Sequence, residues 1–140
     1  MDQGTAAQAK REARMVTGLL DSNIVVDLLR EREVARAWVA EQDRLGITRA
    51  VWLEVIEGAR DSVGLRRALA LLNEFELVEF TVSDFDWATQ QIIRYRLSHN
   101  VDAFDCLIAA PSYRLQLPLY TRNVKHFAPL LGKLAQAPYG

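Results

Sequence analysis

Cysteine is nearly missing from this 140-residue chain, where Cys106 stands alone. One thiol excludes a disulfide framework and any paired-cysteine zinc site, and it fits a reducing compartment. Long apolar runs are missing too. The longest stretch without a charged side chain, Cys106 to Tyr113, is eight residues, against the roughly 20 that a membrane-crossing helix needs. The N-terminal segment has no apolar h-region, so no secretory signal is expected. Nor is there an excess of one charge: 17 basic and 18 acidic residues leave −1 and a pI near 6.1. That balance excludes a polybasic arm or a globally cationic nucleic-acid binder, while leaving room for a local basic rim beside an acidic centre. A soluble, cytoplasmic protein with no membrane association is expected.

What is present is apolar: 50% of the residues are hydrophobic, enough at this length to build a core without staples. Residues 2–14 contain no Val, Ile, Leu or aromatic side chain, and they read as a flexible or disordered arm. Residues 15–140 read as a single domain. Apolar runs at Val16–Leu20, Gly46–Thr48, Leu77–Val82 and Leu117–Tyr120 are strand candidates, with a last edge strand over Lys133–Ala137. Helical spacing runs through Glu33–Leu45, Ala50–Ala59 and the series Leu65, Ala68, Leu69, Leu72, Phe75. It returns after a cap at Ser83 with Phe85, Ala88, Ile92 and Tyr95, then from Asp102 to about Arg114, and as a turn over Phe127–Leu131. Strands separated by helices need crossover connections. The expected fold is therefore a three-layer α/β/α domain on a mostly parallel sheet of four to five strands.

Ligands of such sheets sit beyond the carboxyl ends of the strands. Four polar residues meet that rule. Asp21 follows the first strand, Glu54 lies in the helix after the second, Asp105 sits in the first turn of its helix, and Asn123 follows the strand ending near Tyr120. Singly, each has a bland role as a cap, a dipole partner, a solvated residue or a turn former. Jointly they are brought to one end if the first and fourth strands are neighbours. Three gathered carboxylates repel unless a cation or protons neutralise them. Oxygen donors without Cys or His suit Mg²⁺ or Mn²⁺, whose remaining ligands are commonly phosphate oxygens, so phosphodiesters are the expected substrate class.

The segments LLDSN (19–23), LEVIEG (53–58), DCLIAA (105–110) and LYTRNVKHF (119–127) resemble the four signature blocks of PIN-domain ribonucleases, and among these the VapC toxins of toxin–antitoxin modules. The resemblance runs from Leu19 to Phe127. It implies Mg²⁺-dependent hydrolysis of RNA, with Mn²⁺ able to substitute. Asp21, Glu54 and Asp105 match metal ligands, Asn123 falls where members carry Asp or Asn, and Ser22 and Thr121 match hydroxyl positions that tune the site. It also implies a cognate VapB-type antitoxin and a homodimer, for which the apolar Leu28, Leu29, Val34 and Trp38 offer sequence support.

Two departures modify the expectation. Asn123 lowers the ligand charge, so one ion is expected to be held tightly and a second to need substrate phosphate. Pro111 removes a helical hydrogen bond to Leu107, and the helix after Asp105 is expected to kink or end early there. His126, beside Lys125, reads as a surface residue, and Cys106 as packing rather than a nucleophile. Fourteen of the 17 basic residues are arginine. Arg122, Arg30 and Arg32 are candidate RNA or antitoxin contacts, weighed against simple solvation. The tryptophans Trp38, Trp52 and Trp87 read as packing. A receiver-type phosphoacceptor and a haloacid-type phosphatase fit poorly, because Asp21 is followed by Ser-Asn. The remaining alternative is a PIN-like module that binds RNA or an antitoxin without cleaving.

Overall fold

A computed structural model describes residues 16–140. The arm expected over residues 1–14 lies outside the described residues. From there the chain runs β1 (Gly18–Leu20), α1 (Ser22–Leu29), α2 (Glu33–Ala40), β2 (Leu45–Ile47), α3 (Arg49–Glu57) and α4 (Ser62–Leu72). It continues through β3 (Glu76–Leu77), α5 (Val82–His99), α6 (Ala103–Leu115), β4 (Leu119–Tyr120), α7 (Val124–Leu131), a 3₁₀ turn at Gly132–Leu134 and β5 (Ala135–Gln136). The strands form one sheet in the order β3-β2-β1-β4-β5, with every pairing parallel.

The order dictates the layers. From β1 the chain steps outward to β2 and β3, then crosses back to β4 and on to β5. Right-handed crossovers place helices made on the outward path and on the return path on opposite faces. The packing agrees: α1 meets α2, α3 and α4, whereas α5, α6 and α7 meet one another. This is the expected three-layer α/β/α arrangement. Its direction of winding reverses between β1 and β4, and there the two faces part to leave a crevice at the strands' carboxyl ends. Fully buried Leu19, Leu20, Ile24, Ile47, Ile108, Leu119 and Phe127 fill the space between sheet and helices. A Cβ on Gly18 would stand 2.5 Å from the Tyr120 ring, so that close approach of β4 to β1 requires glycine.

Three local expectations need correction. The strand proposed over Leu77–Val82 ends at Leu77, with a last backbone bond from Val78 N to the Ile47 carbonyl, and Val82 already opens α5. The reason lies in the next residues: Thr81 Oγ1 accepts from Asp84 N and the Asp84 carboxylate accepts from Thr81 N, a reciprocal capping box. Thr81, not Ser83, is therefore the cap. Nor does the helix after Asp105 end early at Pro111, since α6 runs on to Leu115. Ala109, Ala110, Pro111 and Ser112 are all buried, and burial at roughly 0.8 kcal/mol per CH₂ offsets much of the missing hydrogen bond. Among Leu28, Leu29, Val34 and Trp38, only Val34 is exposed. The exposed apolar side chains concentrate instead on α5, at Val82, Phe85, Ile93 and Leu97.

The three tryptophans pack as expected, half-buried against the core. Trp38 meets Tyr120 edge-on at 4.6 Å and Trp87 stacks on Tyr113 at 4.9 Å. Among the described residues no helix is long and apolar enough to cross a membrane.

Candidate active site

β1 delivers Asp21 to the crevice. Its backbone N–H still belongs to the sheet, donating to the Tyr120 carbonyl at 3.0 Å, while its side chain caps α1 by accepting from Ser22 N at 2.7 Å. The N-cap role and the site position thus coexist. The other carboxylate oxygen accepts from the Thr121 hydroxyl at 2.8 Å across the β1–β4 pair. Thr121 is fully buried. Its oxygen in turn accepts from Asn123 N at 2.9 Å and Asn23 Nδ2 at 3.4 Å. A single hydroxyl therefore ties the segment after β4 to the segment after β1.

Glu54 comes from the middle of α3, which Thr48 caps through Val51 N. Ser22 bridges it to Asp21: the Ser22 hydroxyl donates to Glu54 Oε1 at 2.8 Å and lies 3.4 Å from Asp21 Oδ1. Asp105 enters on the first turn of α6, which contacts α3. Its carboxylate accepts from Asp102 N at 3.1 Å, and the Asp102 carboxylate accepts from Asp105 N at 2.8 Å.

All three carboxyls are pushed above their ordinary range, and burial is the first cause in each. Mutual repulsion adds to it. The charge of Asp105 raises Asp21, and Asp21, Asp105 and Asp102 raise Glu54. The shifts of Asp21 and Glu54 thus carry a contribution from neighbouring acids. Asp102 belongs to the group as well, a member that the reading took only as a helix start; the Asp-x-x-Asp spacing was the available signal.

His126 is the larger omission. Its Nε2 lies 2.5 Å from Asp105 Oδ2, with the two side chains 25% and 17% exposed. The sequence reading placed it on the surface. It sits three residues after Asn123, on the first turn of α7, and that spacing turns it back toward the crevice. Its hydrogen bond and charge lower Asp105, against the rise from burial. Asn123 itself is exposed; its backbone, not its side chain, is bonded to Thr121.

The candidate arginines divide. Arg32 Nη1 and Arg122 Nε lie 3.0 and 3.1 Å from the same oxygen of Asp27, a residue with no exposed surface. The Tyr139 hydroxyl donates to that oxygen at 2.7 Å. Arg30 is exposed at the end of α1 and shares neither contact. Cys106 is buried, and burial with the neighbouring Asp105 and Asp102 pushes its thiol up to about 11, which suits packing and not nucleophilic attack.

The donor chemistry suits a hard divalent cation. The acids offer oxygen ligands and raise one another's affinity for protons, while the one imidazole present, His126, is engaged on Asp105. Among the described residues no group of three or more His, Cys, Asp or Glu side chains is arranged to hold an ion outright. Mg²⁺ characteristically takes one or two carboxylates and completes its shell with water and substrate phosphate; that mode needs no preformed cage.

A parallel five-stranded sheet with acids gathered at its winding reversal defines a class. The PIN domain family model matches residues 18–128, and the chain belongs to that family. It is 34% identical over 129 residues to Ribonuclease VapC19 of Mycobacterium tuberculosis, in two strains, covering 86% of this chain and 98% of that protein. A toxin–antitoxin complex from Klebsiella pneumoniae contains a chain that superposes with a TM-score of 0.67 at 27% identity, covering 87% of this chain and 98% of that one. The DNA-bound VapBC of Salmonella typhimurium shares the fold, with a TM-score of 0.66 at 23% identity over 84% of this chain and 94% of that one.

Proposed function

We propose that this protein is a VapC-type ribonuclease toxin that hydrolyses RNA phosphodiester bonds with a divalent metal ion, Mg²⁺ or in its place Mn²⁺. The observation that carries the reading is the convergence of Asp21, Glu54 and Asp105, with raised and mutually repelling carboxyls, at the β1–β4 reversal of a PIN domain. The likeness to a named ribonuclease along nearly its full length supports it.

Asp21 and Asp105 would hold the ion, with Glu54 beside them. When bound, the ion supplies positive charge to the phosphate oxygens and to the attacking water. Ser22 and Thr121 fix the Asp21 carboxylate from two sides, and Ser22 does the same for Glu54. Water attacks phosphorus and Glu54 or Asp105 takes its proton, while the bond to the leaving oxygen breaks and that oxygen takes up a proton from solvent. A carboxyl raised by burial is a better proton acceptor at neutral pH than an ordinary one. Asn123 keeps the segment after β4 in register through its backbone.

The partners implied are RNA and a VapB-type antitoxin, supported by the toxin–antitoxin complexes among similar structures. A homodimer is also implied. Its support here is the exposed Val82, Phe85, Ile93 and Leu97, which share one side of α5. The cytoplasm is the compartment that fits this activity.

The test is RNA cleavage by the antitoxin-free protein in Mg²⁺ and in EDTA, beside Asp21→Asn. Cleavage lost in EDTA and in the variant is the expected result; cleavage that survives EDTA sinks the reading. A second reading, a module that binds without cutting, is favoured by the fourth position, where Asn123 brings no charge and is exposed with only its backbone bonded. It requires that neither cleavage nor Mn²⁺ binding be found.

A further inference from the structure

The candidate site is ringed by acids, yet its substrate would be a polyanion, so cations must draw it in. Among the described residues several arginines are spent in ion pairs. Arg32 and Arg122 share Asp27, Arg36 pairs with Glu31 and Glu33, Arg49 with Glu79, and Arg114 with Asp84. Three that are not spent this way line one groove. It is a cavity of about 550 Å³ between α1, α3 and α4, and Arg30, Arg60, Arg67 and Glu54 are among the residues that line it. All three arginines are exposed. Arg67 donates to the Leu29 carbonyl at 2.8 Å, a neutral partner that leaves its charge uncompensated. Among the described residues the side chains of Arg30 and Arg60 have no ion pair or hydrogen bond. The one acid in the groove besides Glu54 is Asp61, whose side chain is engaged in capping α4 through Gly64 N at 2.7 Å.

We propose that this groove is the track for single-stranded RNA, with Arg30, Arg60 and Arg67 binding the phosphates that flank the cleaved bond. The proposal rests on the ribonuclease reading and assigns residues outside the four sequence blocks, of which only Arg30 was already a candidate contact. Glu54 is the joint between the two parts: it lines the groove and bonds to Ser22 beside Asp21. A strand with one phosphate at the acids would have its neighbours along the groove wall. Guanidinium suits this role, because its planar fork matches a phosphate and it keeps its charge at any relevant pH. Arg32 and Arg122, which the sequence also nominated, are tied down by a buried carboxylate and serve the fold.

The test measures a fluorescent single-stranded oligoribonucleotide binding to the full chain in EDTA, as a function of salt. Arg30→Gln/Arg60→Gln is compared with a charge-matched control, Arg66→Gln/Arg94→Gln, whose sites are exposed and outside the groove. Each lost phosphate contact lowers the salt slope of log affinity by about 0.7 on a single strand. The groove double is therefore expected to lose about 1.4 from the slope and at least about tenfold in affinity at low salt, with a raised KM and an unchanged kcat in Mg²⁺. The control is expected to keep the wild-type slope. Equal losses in both doubles, or an unaltered slope in the groove double, overturn the track while wild-type cleavage keeps the ribonuclease reading. Wild type that neither binds nor cuts RNA overturns both. Loss of binding to an acidic peptide alone, with RNA binding intact, would assign the groove to a protein partner instead.

Discussion

The imidazole of His126 reaches the carboxylate of Asp105 at 2.5 Å, from a different helix and 21 residues further along the chain. That oxygen also accepts from Asp102 N, so one side of the Asp105 carboxylate is engaged by two partners. Among the described residues the other oxygen is bonded to none, which leaves it for a ligand.

His126→Ala should therefore weaken Mn²⁺ binding. The imidazole orients the carboxylate and lowers its proton affinity, and both effects favour the ionised, ligating form. Loss of an outer-sphere partner of a metal ligand typically weakens affinity by roughly 10- to 100-fold. Isothermal titration with Mn²⁺ at neutral pH reads the change directly; equal affinity in the variant would show that the contact does not prepare Asp105.

Asp21→Asn should abolish cleavage yet stabilise the fold at neutral pH. Asp21, Glu54 and Asp105 all have raised carboxyls in the folded state. The folded protein holds these protons more tightly than the unfolded chain. Their contribution to stability is complete below the ordinary carboxylate range and is lost as pH rises through the raised values. The stabilisation of Asp21→Asn over wild type should thus be larger at pH 7.5 than at pH 4.5, and saturating Mn²⁺ should narrow it. Melting temperatures at the two pH values, with and without Mn²⁺, decide the point.

Thr121→Val removes the 2.8 Å donor to Asp21 and the acceptor for Asn123 N. The first contact is buried and the second partly so, and about 1–3 kcal/mol of stability should be lost, with Thr121→Ser recovering most of it. Urea unfolding of the three proteins measures this, and cleavage should fall in the valine variant because the segments after β1 and β4 are no longer tied.

Asp27→Ala breaks a buried carboxylate from Arg32, Arg122 and Tyr139 at once. Removal of one member of a buried charged group costs about 3–5 kcal/mol, and the partial exposure of both arginines places this case near the lower figure. The Tyr139 phenol, raised first by burial and then by Asp27, should move part of the way back toward its ordinary range. Denaturation curves and ultraviolet titration of tyrosine test the two expectations together.

The candidate site was legible in the sequence to the extent that local rules reach. Asp21, Glu54 and Asp105 are candidates because carboxylates just beyond strands or in nearby helical turns are a positional pattern, and Ser22 bridges two of them in the fold. His126 was missed because a lone histidine beside a lysine has no local mark of its orientation. The fate of the arginines was equally hidden. Arg30 and Arg32 are two residues apart, yet Arg32 meets Asp27 and Arg30 lines the groove beside Glu54.

By itself the sequence determined the alternation of strands and helices, the three-layer class and the parallel sheet. Those follow from hydrophobic period and from the crossovers that intervening helices impose. Tertiary structure alone decided that β1 lies between β2 and β4, that Thr121 bonds Asp21 across 100 residues, and that α6 survives its proline. The physical reason is common to all three. Period and capping act within a few residues, whereas these outcomes depend on burial and on hydrogen bonds between segments that meet only once the sheet has closed.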